Sequence, residues 1–130
     1  MTADTRREQI RTSLAPPPGG SYSQAIRWGD LLFISGQTPR DTQRNLVPGP
    51  FREQAKRTYE NLRLLAEAAG ARLEDALKVT VYLADFDDAA EADAVFAEVF
   101  PEPRPARTTV GAHIPVSIEV DAVFGLRAGA

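Results

Sequence analysis

In the stretch Leu31-Leu32-Phe33-Ile34-Ser35, four consecutive residues are apolar on both parities, with Leu31 and Phe33 on one and Leu32 and Ile34 on the other. Side chains alternate across a strand, so a strand of this composition is buried on both faces. Its sheet therefore needs a covering layer on each side. Gly29-Asp30 separates this run from a second apolar stretch ending at Trp28, the pattern of a hairpin with a two-residue turn.

The rest of the chain offers two helices as cover. After a loop from Pro39 to Pro50, residues Phe51, Ala55, Tyr59, Leu62, Leu65, Ala66 and Ala69 recur at helical spacing. Pro50 suits the start of such a helix and Gly70 its C-terminal cap. Leu77, Val79, Val81 and Leu83 alternate as a strand. Asp88 and Glu91 form a capping-box pattern ahead of a second helix carrying Ala92, Val95, Phe96 and Val99, and Pro101 and Pro103 end it. Two further strands follow, Arg107 to Ile114 and Ser117 to Phe124.

This order predicts crossover connections and a mixed sheet with both helices on one face. One face stays uncovered, although the strand from Leu31 is apolar on both. A symmetric homo-oligomer supplies the missing layer. The chain reads as a single domain over residues 1–130. Residues 1–20 form a partly flexible leader whose Ala-Pro-Pro-Pro-Gly-Gly end cannot be helical.

Composition narrows the chemistry. A chain of 130 residues with 43% hydrophobic and 25% charged residues can bury a real core. A formal charge of −3 leaves no basic footprint for nucleic acid. No apolar run approaches the ~20 residues of a membrane span. The first residues lack the apolar segment of a signal peptide, so a cytoplasmic location is expected. With no cysteine and one histidine, His113, disulfides, thiolate catalysis and the usual zinc sites are excluded. Neither a metal nor an organic cofactor is expected. Arginine, carboxylates, hydroxyls and backbone must do the work.

Alternation in the strand from Arg107 puts Arg107, Thr109, Gly111 and His113 on one face. Thr108, Val110, Ala112 and Ile114 form the more apolar set and are expected to face the core. Arg107 is then expected to point away from the helices, toward the face a subunit interface would cover, where its planar fork suits a carboxylate. An exposed strand-end charge or an intersubunit ion pair fits the same pattern. In the last strand, Glu119 and Asp121 lie opposite Ile118, Val120, Ala122 and Phe124. Such carboxylates position water or carry protons, and equally serve as solvated edge residues. Ser35, without a histidine partner, reads as a hydrogen-bonding group, and Gly36 lets backbone come close to a ligand.

Taken in order, "GGSYSQAIRWGDLLFISGQTPRD", "ENLRLLAEAAGARLEDALKVTVYLADFDD", "VFAEVFPEPRPARTTV" and "IPVSIEVDAV" resemble the RidA/YjgF family of reactive-intermediate deaminases, from about Ile10 to Val123. The resemblance implies an α+β, chorismate-mutase-like fold with a six-stranded mixed sheet and two helices on one face. It also implies a homotrimer with a site at each subunit interface. The implied activity is hydrolysis of 2-enamine and 2-imino acids to 2-oxo acids and ammonia. Arg107 matches the family's carboxylate-binding arginine and Glu119 its water-handling acid. Tyr22, Ser35 and Gly36 match its pocket tyrosine, serine and glycine, and Thr109 stands in its substrate-binding segment. Thr109 replaces the cysteine common in the deaminases, Asp93 an asparagine, and Ser21 the proline before the tyrosine. Two other readings are a non-catalytic or specialised relative binding a small carboxylate metabolite and, ranked below it, the endoribonuclease of the family's older label.

Overall fold

A computed structural model describes residues 6–127. Chain order runs β1 (Arg7–Ile10), β2 (Ala25–Trp28), β3 (Leu31–Gln37), α1 (Phe51–Ala68), β4 (Ala76–Leu83), α2 (Ala89–Val99), β5 (Ala106–Gly111) and β6 (Ile118–Gly125). The strands form one six-stranded sheet in the order β1-β2-β3-β6-β4-β5. All pairings are antiparallel except β4 with β5, which the α2 crossover makes parallel.

Most elements sit where the sequence puts them. Gly29 takes φ 57° in the two-residue turn between β2 and β3. α1 begins after Pro50, whose carbonyl accepts from the Glu53 and Gln54 amides. It ends in a Schellman arrangement, with the Gly70 amide on the Glu67 carbonyl and the Ala71 amide on the Ala66 carbonyl. Gly70 adopts φ 85°, a conformation that a side chain would strain.

Two details differ. β1 adds a sixth strand beyond the five that periodicity gives, pairing Arg7–Ile10 with β2. Its sequence, Arg-Glu-Gln-Ile, carries almost no apolar signal because backbone pairing holds an edge strand. The first residues of the expected flexible leader, 1–5, lie outside the described residues. The expected Asp88 cap makes no side-chain hydrogen bond to α2. Asp85 instead accepts from the Asp87 amide and starts a short 3₁₀ turn that leads into the helix.

The core lies between the helices and one sheet face. Ala55, Tyr59, Leu62, Leu65 and Ala66 of α1 and Val95 and Phe96 of α2 are buried there. They pack with Leu32, Ile34, Val79, Val81, Leu83 and the even-numbered residues of β6 from Ile118 to Phe124. Each fully buried aliphatic of this kind contributes ~1.5–3 kcal/mol. The other face of the sheet is open in this chain, with Trp28, Leu31 and Leu77 exposed and Phe33 45% accessible. The both-parity pattern of β3 is thus half used within one chain. No helix among the described residues is long and apolar enough to cross a membrane.

Candidate functional site

On the open face, β3 and β6 build a compact polar cluster. Their register breaks between Ile34 paired with Ala122 and Gln37 paired with Val120. Two residues of β3, Ser35 and Gly36, thereby oppose one residue of β6, a bulge that redirects the strand end. The Ser35 hydroxyl donates to the Ser23 carbonyl at 2.6 Å, and the Ser35 amide to the Gln24 carbonyl at 3.0 Å. This ties the bulge to the segment bearing Tyr22. Tyr22 and Ser35 line one cleft of about 480 Å³ together with Ser21, Ile26 and Phe33. The Tyr22 phenol accepts from the Gly19 amide at 2.8 Å, which fixes the ring.

Gly36 makes room for Glu119. A methyl group at Gly36 would overlap Glu119 Oε2 and come within 3.0 Å of its Cδ. The group admitted at Gly36 is the chain's own carboxylate. Glu119 is half-buried. Burial, reinforced by the Asp121 charge, pushes its pKa above the usual carboxylate range. Asp121 accepts from the Tyr82 phenol at 2.9 Å. Tyr82 is the cross-strand partner of Glu119 itself, so the three side chains share one patch. The bond to Asp121, more than burial, raises the Tyr82 pKa.

Arg107 lies elsewhere. β5 pairs in parallel with β4, matching Arg107 to Val79 and Thr109 to Val81. Paired residues share a face, and Val79 and Val81 are core residues beneath the helices. Arg107 and Thr109 therefore lie on the helix side, which corrects the expectation that they point away from it. The reason is the edge position of β5. The residues of this strand stay exposed or only partly buried, so polar side chains are tolerated on its helix-facing side, and apolar alternation there is a poor guide to inside and outside.

α2 supplies the partners. Arg107 Nη1 donates to Asp93 Oδ1 at 2.7 Å, and its guanidinium carbon lies 4.8 Å from the Phe96 ring centroid. Asp93 and Phe96 are one helical turn apart, so both project toward β5. Beneath them Tyr59 is only 2% exposed. It meets Phe100 edge-on at 5.6 Å, and its hydroxyl has no hydrogen-bond partner among the described residues. Burial pushes the phenol pKa up and the Arg107 charge opposes that rise.

The chain thus gathers Tyr22, Ser35, Gly36 and Glu119 on the open face and holds Arg107 with Thr109 on the other. β6 and β4 separate β3 from β5, about 14 Å across three strand spacings. Sequence reasoning gave Phe96 only a core role and did not link Asp93 to Arg107. The helical spacing of 93 and 96 was visible, whereas their approach to a strand is a tertiary fact. Among the described residues no group of three His, Cys, Asp or Glu side chains is placed to hold a metal ion.

The family model described as Endoribonuclease L-PSP matches residues 12–124. A RutC family protein of Pyrococcus abyssi is 45% identical over 121 residues, covering 90% of this chain and 95% of that protein. A protein of Dermatophagoides farinae named 2-iminobutanoate/2-iminopropanoate deaminase is 39% identical over 114 residues, covering 86% of this chain and 89% of its own length. Among solved structures, RidA from an Antarctic Psychrobacter superposes with TM-score 0.87 at 36% identity, covering 92% of this chain and 100% of that one.

Proposed function

The chain belongs to the Endoribonuclease L-PSP family, the RidA/YjgF proteins, and from that premise we propose that it hydrolyses reactive 2-imino acids and their 2-enamine tautomers to 2-oxo acids and ammonia. The observation that carries this reading is the half-buried Glu119 carboxyl against Gly36, held proton-hungry by burial and Asp121. A general base is most useful when its pKa lies closer to the working pH than an exposed carboxylate allows.

In the proposed reaction Glu119 takes a proton from water as the oxygen bonds to the C=N carbon. It then returns that proton to the nitrogen of the tetrahedral intermediate. Glu119 next takes the hydroxyl proton as the C–N bond breaks and the carbonyl forms. It passes that proton to the departing nitrogen, which leaves as ammonia from a neutral imine or as ammonium from a protonated one. One water is consumed and Glu119 ends as it began. Arg107 holds the substrate carboxylate in a planar two-pronged contact, with Thr109 beside it. Tyr22, Ser35 and Gly36 shape the cleft.

Arg107 and Glu119 of one chain lie on opposite sheet faces, so this reading requires a second copy of the chain to complete each site. The open face, with Trp28, Leu31 and Phe33 exposed, offers the surface for a homotrimer. The test generates 2-iminobutanoate in place with an amino-acid oxidase and follows 2-oxobutanoate release with and without the protein. Light scattering gives the mass of the same sample. Faster release by a particle of three chains is the expected result. A monomer, or release at the uncatalysed rate, overturns the proposal.

A further inference from the structure

Arg107 comes with its own counter-ion. Nη1 is bound to Asp93 Oδ1 at 2.7 Å, while Nε and Nη2 make no hydrogen bond among the described residues. The Asp93 side chain is 66% exposed and that of Arg107 30%. Asp93 Oδ2 likewise has no partner there. The pair therefore presents, side by side, an unfilled donor edge and an unfilled acceptor oxygen. Phe96 backs the guanidinium and keeps it from swinging away.

This arrangement discriminates among small carboxylates by their second group. A carboxylate seated on the free edge of Arg107 comes close to the Asp93 charge, and like charges at such distances repel. A ligand with a cationic N–H group on the carbon next to its carboxylate meets donor and acceptor together. Disfavouring one ligand by an unpaired like charge while pairing the other is how specificity between close analogues arises.

We propose that Arg107 and Asp93 act as one receptor for a zwitterion, a carboxylate flanked by an iminium or ammonium nitrogen. Asp93 is then a specificity-determining residue. It favours the protonated 2-imino acid over the 2-oxo acid formed from it, because hydrolysis removes the cationic group and leaves the product facing Asp93 with only negative charge. The inference rests on the reading of Arg107 as the carboxylate clamp.

The test measures calorimetric affinities of the full chain for two stable probes of the same skeleton, 2-oxobutanoate and the zwitterion 2-aminobutanoate. Wild type, Asp93→Asn, Asp93→Glu and Arg107→Ala are compared. Asp93→Asn should tighten 2-oxobutanoate and weaken 2-aminobutanoate, shifting their ratio by about tenfold, the scale of one hydrogen bond to a charged group. Asp93→Glu keeps the charge and should keep the wild-type preference. Asp93→Ser repeats the test should the Asn protein not assemble. A wild type that does not bind 2-aminobutanoate, or an Asn variant whose two affinities move together or not at all, overturns the zwitterion receptor. Arg107→Ala should lose both probes. If it retains both, the carboxylate clamp itself fails, a result distinct from failure of Asp93 alone.

Discussion

Glu119 reaches its position through backbone geometry, whereas Arg107 is held by side chains. The bulge at Ser35-Gly36, the missing side chain of Gly36 and the pairing of β6 on both edges leave the Glu119 carboxyl little freedom. Arg107 stands on an edge strand and owes its orientation to one ion pair and one ring. The environments differ accordingly. Glu119 is desolvated enough for its proton affinity to change, while Arg107 remains hydrated. A group that moves protons gains from a rigid, partly dry setting, and a group that captures anions gains from access. Exposed ion pairs such as Arg107–Asp93 contribute little to stability, median ~0–1 kcal/mol, so this pair is better placed to select ligands than to hold the fold.

The sharpest way to break this contrast is to remove alone the half proposed to carry protons. Glu119→Gln keeps the shape of the side chain and should leave the particle mass and 2-oxobutanoate binding unchanged. Imine hydrolysis should fall by ~10²–10⁴-fold, the usual range for lost acid–base catalysis. Turnover at the wild-type rate would transfer the role to Asp121 or to bound water.

Removing the half proposed to capture the anion should do the reverse. Arg107→Ala should weaken 2-oxobutanoate binding by roughly tenfold or more, since hydrogen bonds to charged groups contribute ~1.5–3 kcal/mol each. Arg107→Lys should fall between, because an ammonium lacks the planar fork. Circular dichroism should be unaltered in both. Normal affinity in the alanine variant would make Arg107 a surface charge.

The smallest effect concerns stability. Because its folded-state pKa is raised, Glu119 leaves stability intact below the ordinary glutamate range and costs stability as pH rises through the elevated value. Glu119→Gln escapes that loss. Its melting temperature should match the wild type near pH 4 and exceed it at pH 7. A gap on the order of a few degrees is expected, because the carboxyl remains partly solvated. A wild type as stable as the variant at neutral pH would mean that Glu119 is not desolvated in solution.

What could be read from the chain follows the same division. α1, the β2–β3 hairpin and the glycine-capped helix end were legible because their signals are local, each lying within a few residues of what it determines. The pairing of Glu119 with Asp121 on one face was legible because β6 is central and its alternation is clean. Alternation within β5 misassigns the facing of Arg107, because β5 is an edge strand whose orientation is fixed by its parallel register with Val79 and Val81. β1 escaped notice because four mostly polar residues can join a sheet through backbone alone. The contact of Asp93 with Arg107 spans 14 positions and two elements, and only the crossover from α2 to β5 makes it.

The sheet order has a consequence in time. β6, the last strand in the described chain, lies between β3 and β4 and pairs with both. Until it arrives, the two halves of the sheet have no common neighbour, and Glu119, on that closing strand, has no place to go. Native contacts of such long sequence separation form slowly, because the intervening chain must be ordered before they contribute. The helices can form during synthesis, but the chemistry assigned to Glu119 waits for the whole chain. A chain cut before Ile118 would lose the middle of its sheet and the carboxyl proposed to carry protons in the same stroke.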